Sequence, residues 1–344
     1  MAVRALVTLA LVALAAAPLE AQWRAVEPGG ETLCSDGSPY RFFVHPGDSA
    51  KLLIEFEGGG GCWDDATCAS TIYSRRITVD PTQAAQSGLL VGIYDRANPE
   101  NPFRDWTHVY IPYCTGDLHW GRNDKTYSGP SGPFVVHHRG AVNAAAAVDW
   151  AYQNVPAPRQ VFVAGCSAGG YGSVLWSAHV MGHYGGASAV QLSDSAAGVV
   201  PPGFFATPLA NWGASAAWPS FIPSLALDRL EPGRITLTDF YNGVAGHYPL
   251  SAFSQFNRLA DSTQLFFYIL TKSALASPEE WAALMQSSVA AISGANANFF
   301  AYTAPGTQHC VINSPALYTT EVGGTRLVNW LRNLAETRAP GTIP

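Results

Sequence analysis

Short apolar, β-branched runs alternate with longer segments of helical spacing along most of this chain. Residues 41–44 and 52–56 read as strands separated by the turn His45-Pro46-Gly47-Asp48, and residues 109–112 as a further buried strand. Residues 139–152 are alanine-rich with helical spacing, closed by Pro156 and Pro158. A strand is expected at 161–165, a helix at 171–181, a strand at 189–192, a late strand at 298–303 and an amphipathic helix at 325–337. Strands separated by helices predict an α/β fold with a mostly parallel central sheet. From 198 to about 248 the pattern breaks. Pro201, Pro202, Phe204, Phe205, Trp212, Trp218 and Phe221 crowd that stretch, which reads equally as a loop-rich cap or substrate wall and as a packing excursion.

The first residues follow another pattern. Arg4 precedes the apolar run 5–17, Pro18 breaks it and Ala21 offers a small residue for cleavage, the layout of a secretory signal. Residues 22–344 are then expected to form one catalytic domain, secreted or periplasmic. No later segment reaches roughly 20 uninterrupted apolar residues, so no stable membrane insertion is expected. A content of 48% hydrophobic against 13% charged residues is globular. The formal net charge of −6, with scattered Lys and Arg, argues against nucleic acid as a partner. A monomer is expected. Six cysteines in an oxidising compartment predict three disulfides. Without a Cys-x-x-Cys pair or a histidine at ligand spacing, neither metal nor other cofactor is expected.

One segment carries chemistry. Val161-Phe162-Val163-Ala164-Gly165-Cys166-Ser167-Ala168-Gly169-Gly170 runs from an apolar strand through a Gly-x-Ser-x-Gly turn into a helix, the pattern of a nucleophile elbow. Ser167 is the candidate nucleophile. A serine needs a base oriented by an acid, and in α/β-hydrolases the chain order is Ser, Asp or Glu, then His. His179 and His183 come too early, and His247 lacks a preceding strand and acid. His309 follows the 298–303 strand and a Pro305-Gly306 turn, as a base on a late loop should. For the acid, Asp261 after the apolar run 249–256 and Asp194 at the end of the 189–192 strand both remain open. The oxyanion donors are expected from the N–H of Ala168 and from Gly59 and Gly60 in Glu57-Gly58-Gly59-Gly60-Gly61-Cys62. No Gly-Lys-Ser/Thr follows that run, which argues against phosphate binding. Trp63, His119, Trp120 and the 204–221 region are candidate pocket residues.

At these residues the chain resembles the pectin acetylesterase/Notum family of carboxylesterases. The likeness lies in Cys34-Ser35-Asp36-Gly37-Ser38-Pro39, Glu57-Gly58-Gly59 with Cys62, Ile111-Pro112-Tyr113-Cys114, the Ser167 elbow, Asp194-Ser195, and Asp261-Ser262-Thr263-Gln264-Leu265. The last segment resembles the family's acid motif, which selects Asp261 and leaves Asp194 a structural place near the elbow. The resemblance implies an α/β-hydrolase fold, ester hydrolysis without a metal, and pairing of Cys34 with Cys114 and Cys62 with Cys68. It also suggests deacetylation of a polysaccharide such as pectin. This chain departs from the family at Gly60, where an aromatic residue is usual, so the pocket wall is altered.

Cys166 precedes the serine and Cys310 follows the histidine. If Ser167 and His309 touch, these cysteines lie within bridging reach, and a bond between them ties the elbow to the base loop. The same Cys-Ser, Asp, His-Cys arrangement resembles tannases and fungal-type feruloyl esterases, which raises aryl esters as an alternative, with lipid and polyester substrates also open. A non-catalytic binding protein on the same fold is the rival class. Binding alone needs none of the Ser, Asp, His and glycine-loop set.

Overall fold

The structure, a computed structural model, describes residues 22–228 and 234–344. The expected signal segment, residues 1–21, lies outside the described residues. The strands are β1 (Arg24–Val26), β2 (Phe42–His45), β3 (Asp48–Phe56), β4 (Trp106–Ile111), β5 (Asn123–Gly129), β6 (Gly132–His138), β7 (Gln160–Cys166), β8 (Ser188–Asp194), β9 (Ala252–Arg258) and β10 (Phe299–Ala304). Eight of them form one sheet in the order β1-β2-β4-β3-β7-β8-β9-β10. The pairs β1–β2 and β2–β4 are antiparallel. From β4 to β10 every neighbouring pair is parallel.

Side chains alternate across this sheet as the pleat requires. Leu52, Ile54, Val161 and Val163 enter one core, and Leu53, Phe162 and Ala164 enter the other. The helices are α1 (Asp65–Ala69), α2 (Pro81–Gln86), α3 (Gly140–Asn154), α4 (Ala168–His183), α5 (Ala206–Trp212), α6 (Leu237–His247), α7 (Ser262–Lys272), α8 (Pro278–Ala295), α9 (Ala316–Thr319) and α10 (Leu327–Thr337), and both faces of the sheet are covered by helices among them. The first core is closed by Ala144 and Val148 of α3, Val174 and Leu175 of α4 and Phe240 of α6. Trp330, Leu331 and Leu334 of α10 close the second. Each Val, Leu or Phe among them, fully buried, contributes about 1.5–3 kcal/mol of transfer free energy. Parallel strands buried on both faces under helices give the α/β-hydrolase fold.

The outer edge of β10 is covered by the C-terminal segment, where Ile343 donates its N–H to Ala301 O (2.8 Å) and accepts from Thr303 N (2.9 Å). The aromatic stretch divides between the core and a cleft. Trp218, Ile222 and Leu225 pack into the first core, while Phe204, Phe205 and Trp212 face a cleft at the carboxyl ends of the strands. Among the described residues no helix is long and apolar enough to cross a membrane.

Candidate active site

Ser167 sits between β7 and α4 with φ 56° and ψ −123°, a backbone region that serine rarely occupies. The conformation is held from several sides. Ser167 N donates to Asp194 O (2.8 Å). A Cβ on Gly165 would strike the Gly169 carbonyl, and one on Gly169 would strike the Phe56 carbonyl. Gly58 lets the glycine loop lie directly on the elbow, since a Cβ there would come within 2.6 Å of Cys166 O and 2.8 Å of Ser167 Cβ. The first turn of α4 presents N–H groups that the helix itself cannot satisfy, Ala168 among them.

The loops after β9 and β10 supply the other two groups. Asp261 is fully buried and caps α7, accepting at Oδ1 from Thr263 N (3.0 Å) and Gln264 N (2.9 Å). Gln264 Nε2 donates to its Oδ2 (3.1 Å). His309 Nδ1 lies 2.8 Å from Oδ2 and 3.0 Å from Oδ1. A carboxylate can only accept, so the imidazole proton belongs on Nδ1 and Nε2 is left as an acceptor. Among the described residues that Nε2 is buried without a hydrogen-bond partner, and His309 shares a cleft with Ser167. Cys166 and Cys310, the neighbours of these two residues, are joined in a disulfide. The other pairs are Cys34–Cys114 and Cys62–Cys68.

Asp194, the other candidate acid, has a different position. It is fully buried, and Oδ2 accepts from Val311 N (2.7 Å) and Ile312 N (2.8 Å). Ser195 Oγ donates to Asp194 Oδ1 (3.0 Å) and accepts from Cys310 N (3.0 Å). Because the Asp194 carbonyl also receives Ser167 N, one residue clips the base loop to the elbow.

Gly60, Ala168 and Trp63 line the cleft with Ser167; Gly59 does not. Gly59 O accepts from Ser74 N (2.8 Å), and its Cα packs against Tyr113 and Ser74. His119 and Trp120, expected in the pocket, are buried beneath it instead. His119 Nε2 lies 2.9 Å from Glu57 O, its ring meets Phe56 edge-on, and burial lowers its pKa to about 4. It is thus a neutral prop for the glycine loop, in space left by Gly172. Trp120 Nε1 donates to Tyr171 O (3.0 Å), and its ring packs against Phe205 and Phe240. Both fit the interior because His119 Nε2 and Trp120 Nε1 each meet a backbone carbonyl there.

Sequence reading missed the far wall of the cleft, made by Leu118, Tyr171, Phe267 and Trp281 with Val199 and Val200. The spacing of Thr263, Phe267 and Thr271, four residues apart on α7, is the signal that could have shown it. Among the described residues no Asp, Glu, Lys or Arg side chain lines the cleft, which encloses about 660 Å³ including its open mouth. Behind the elbow lie two further acids. Burial raises both Glu55 and Glu57 to about 8. Glu55 accepts from Tyr94 OH (2.6 Å) and faces a neutral His108 (2.7 Å), whose pKa burial lowers well below the usual range. Glu57 Oε2 accepts from Tyr113 N (2.8 Å).

Two groups of metal-ligand type occur among the described residues: Cys62, Cys68 and His138, and Cys166, His309 and Cys310. All four cysteines are in disulfides and offer no thiolate.

A sequence model of the pectinacetylesterase family matches residues 18–205, more than half of the chain. The chain belongs to the pectinacetylesterase family. That match includes Ser167 and ends before Asp261 and His309. Palmitoleoyl-protein carboxylesterase NOTUM of Schmidtea mediterranea is 32% identical over 150 residues, 41% of this chain and 27% of the relative. Pectin acetylesterase 5 of Arabidopsis thaliana is 28% identical over 147 residues, 41% of this pectinacetylesterase-family chain and 33% of the plant protein. The alignments thus span about a third or less of these relatives. The solved structure of the Wnt deacylase Notum from Drosophila matches with a TM-score of 0.63 at 18% identity, covering 90% of this chain and 92% of that one. The two share the fold.

Proposed function

We propose that this protein is an exported serine carboxylesterase in which Ser167 is the nucleophile, His309 the base and Asp261 the orienting acid. One observation carries the reading: His309 is held through Nδ1 by a buried carboxylate, its Nε2 has no hydrogen-bond partner among the described residues, and it lines the same cleft as Ser167. His309 takes the hydroxyl proton as Ser167 Oγ attacks the ester carbonyl. The oxyanion rests on the backbone N–H groups of Ala168 and Gly60, each donor of this kind contributing around 3 kcal/mol in the transition state. His309 then protonates the leaving alcohol and activates the water that releases the acyl group. The signal-like N-terminus and the three disulfides support export.

For the substrate, the uncharged aromatic cleft favours a neutral ester with an apolar acyl or aryl group. A second reading, removal of acetyl groups from a polysaccharide such as pectin, is supported by the family and by the name of the plant relative. A series of p-nitrophenyl esters from acetate to decanoate separates them. kcat/KM rising with chain length supports the first reading, and a maximum at acetate with acetate release from acetylated pectin supports the second. Full turnover of p-nitrophenyl acetate by Ser167→Ala would sink the serine mechanism, as would fluorophosphonate labelling that survives His309→Ala.

A further inference from the structure

The first ten residues of α7, Ser262-Thr263-Gln264-Leu265-Phe266-Phe267-Tyr268-Ile269-Leu270-Thr271, carry no charge, and six in a row are apolar. Two directions account for part of that run. Tyr268 enters a small core with Trp281 and Met285, and Phe267 walls the cleft. The rest is only partly covered. Phe266 is 44% exposed, Leu275 in the turn to α8 is 89% exposed, and Leu284 on α8 is 42% exposed. Leu265, Ile269 and Leu270 are half-buried. Scattered apolar residues on a surface need no explanation, but these sit on one helical hairpin, whose Phe267, Thr271 and Trp281 line the cleft. The ring of Phe266 packs edge-on against that of Phe267, with centroids 5.3 Å apart and planes at 77°.

We propose that the α7–α8 hairpin seats the enzyme on a neutral, water-insoluble ester phase, so that an acyl group passes over Phe266 into the cleft without crossing water. The proposal rests on the serine-esterase reading and names the physical form of its substrate. Charge selects the occupant. Within the hairpin, Lys272 and Glu280 pair with each other at 2.5 Å, the exposed Glu279 is the one remaining charge, and no Lys or Arg follows Lys272 until Arg326. An anionic polymer or membrane would need a basic rim here, whereas a droplet of neutral acylglycerol needs only apolar area.

The test uses tributyrin below and above its solubility limit, with dissolved p-nitrophenyl acetate as reference. The expected wild-type rate rises steeply when the emulsion forms. Phe266→Ser/Leu275→Ser should lose that rise and keep the p-nitrophenyl acetate rate within about twofold, with adsorption to the emulsion roughly tenfold weaker. Leu275→Ser alone, at an almost fully exposed position, should lose part of the rise and guards against a folding defect. Adsorption of Ser167→Ala to the emulsion, read by centrifugation, tests docking without any turnover. A rate that ignores the emulsion, a double variant that keeps the rise, or Ser167→Ala that stays in the aqueous phase would each overturn the proposal. So would a wild-type dimer that Phe266→Ser converts to monomer, since the apolar face would then belong to a second copy.

Discussion

Two tethers hold the base loop to the elbow, and they can be cut separately. The covalent one is Cys166–Cys310, which closes a loop of 144 residues. In the chain-entropy account that closure contributes about 5 kcal/mol by restricting the unfolded chain. Its removal in Cys166→Ala/Cys310→Ala should therefore lower Tm by roughly 7 °C, taking an unfolding entropy of about 2 cal/mol/K per residue. The non-covalent tether is Asp194 with Ser195, whose three bonds reach the N–H groups of residues 310, 311 and 312 at 2.7–3.0 Å. Those bonds remain when the sulfurs are gone, so kcat/KM of the folded double variant should fall by no more than about tenfold. Asp194→Ala instead leaves Val311 N, Ile312 N and Ser195 Oγ without their acceptor, each orphaned donor costing about 1–3 kcal/mol. The loop should relax to water and carry His309 with it, lowering kcat/KM by about a hundredfold or more. Asp194→Asn keeps one oxygen for both N–H groups and should fall between. The assays are thermal unfolding and p-nitrophenyl ester hydrolysis, with circular dichroism to show that each variant is folded. A folded disulfide variant less active than Asp194→Ala would refute the division of labour, and so would an unchanged Tm.

Glu57→Gln tests the buried acids. Glu57 keeps its proton in the folded protein up to about 8 against an ordinary value of 4.5, so between those values the native state binds more protons than the unfolded state. Stability is full below pH 4.5 and falls as pH rises to about 8, by up to about 1.4 kcal/mol per pH unit. The Gln variant, with the same shape, lacks that slope, and urea unfolding at pH 5 and pH 8.5 should show it gaining a few kcal/mol on the wild type at the higher pH. Equal differences at both would contradict it. Gly60→Ala combines φ +78° with a Cβ that would strike the Ile72 carbonyl. It should cost about 2 kcal/mol or more in stability and disturb the oxyanion turn. Gly61→Ala, whose nearest neighbours would lie at 3.6 Å and 3.7 Å, should melt as the wild type does; similar melting of both variants would remove the steric argument.

Much of the fold was legible because its central strands are short, β-branched and buried on both faces. The 161–165 run lies inside β7 and the 298–303 run overlaps β10. Ser167 was legible because a strained turn demands glycines on both sides, and His309 because it follows the last strand. Asp261 was chosen by resemblance, since spacing leaves Asp194 equally placed at a strand end. What separates them is tertiary: Asp261 meets an imidazole, and Asp194 meets backbone N–H groups from residues more than a hundred positions away. His119 and Trp120 were misplaced because aromatic residues with polar atoms suit a pocket and a core equally well. The hairpin of α7 and α8 escaped for another reason. A helix that sends one side into a core, another into a cleft and leaves a third bare has no polar stripe to mark its period.

The strip at residues 341–343 has a practical consequence for handling the protein. Its backbone occupies the outer hydrogen-bonding edge of β10, and Trp330 Nε1 holds it in place by donating to Gly341 O (2.7 Å). A chain cut after residue 338 would present that edge to solvent as an open template for strand pairing between molecules. Purification handles are better attached ahead of residue 22 than grafted onto a shortened C-terminus. A trimmed chain should appear in the insoluble fraction even though every residue of the Ser167 cleft is intact.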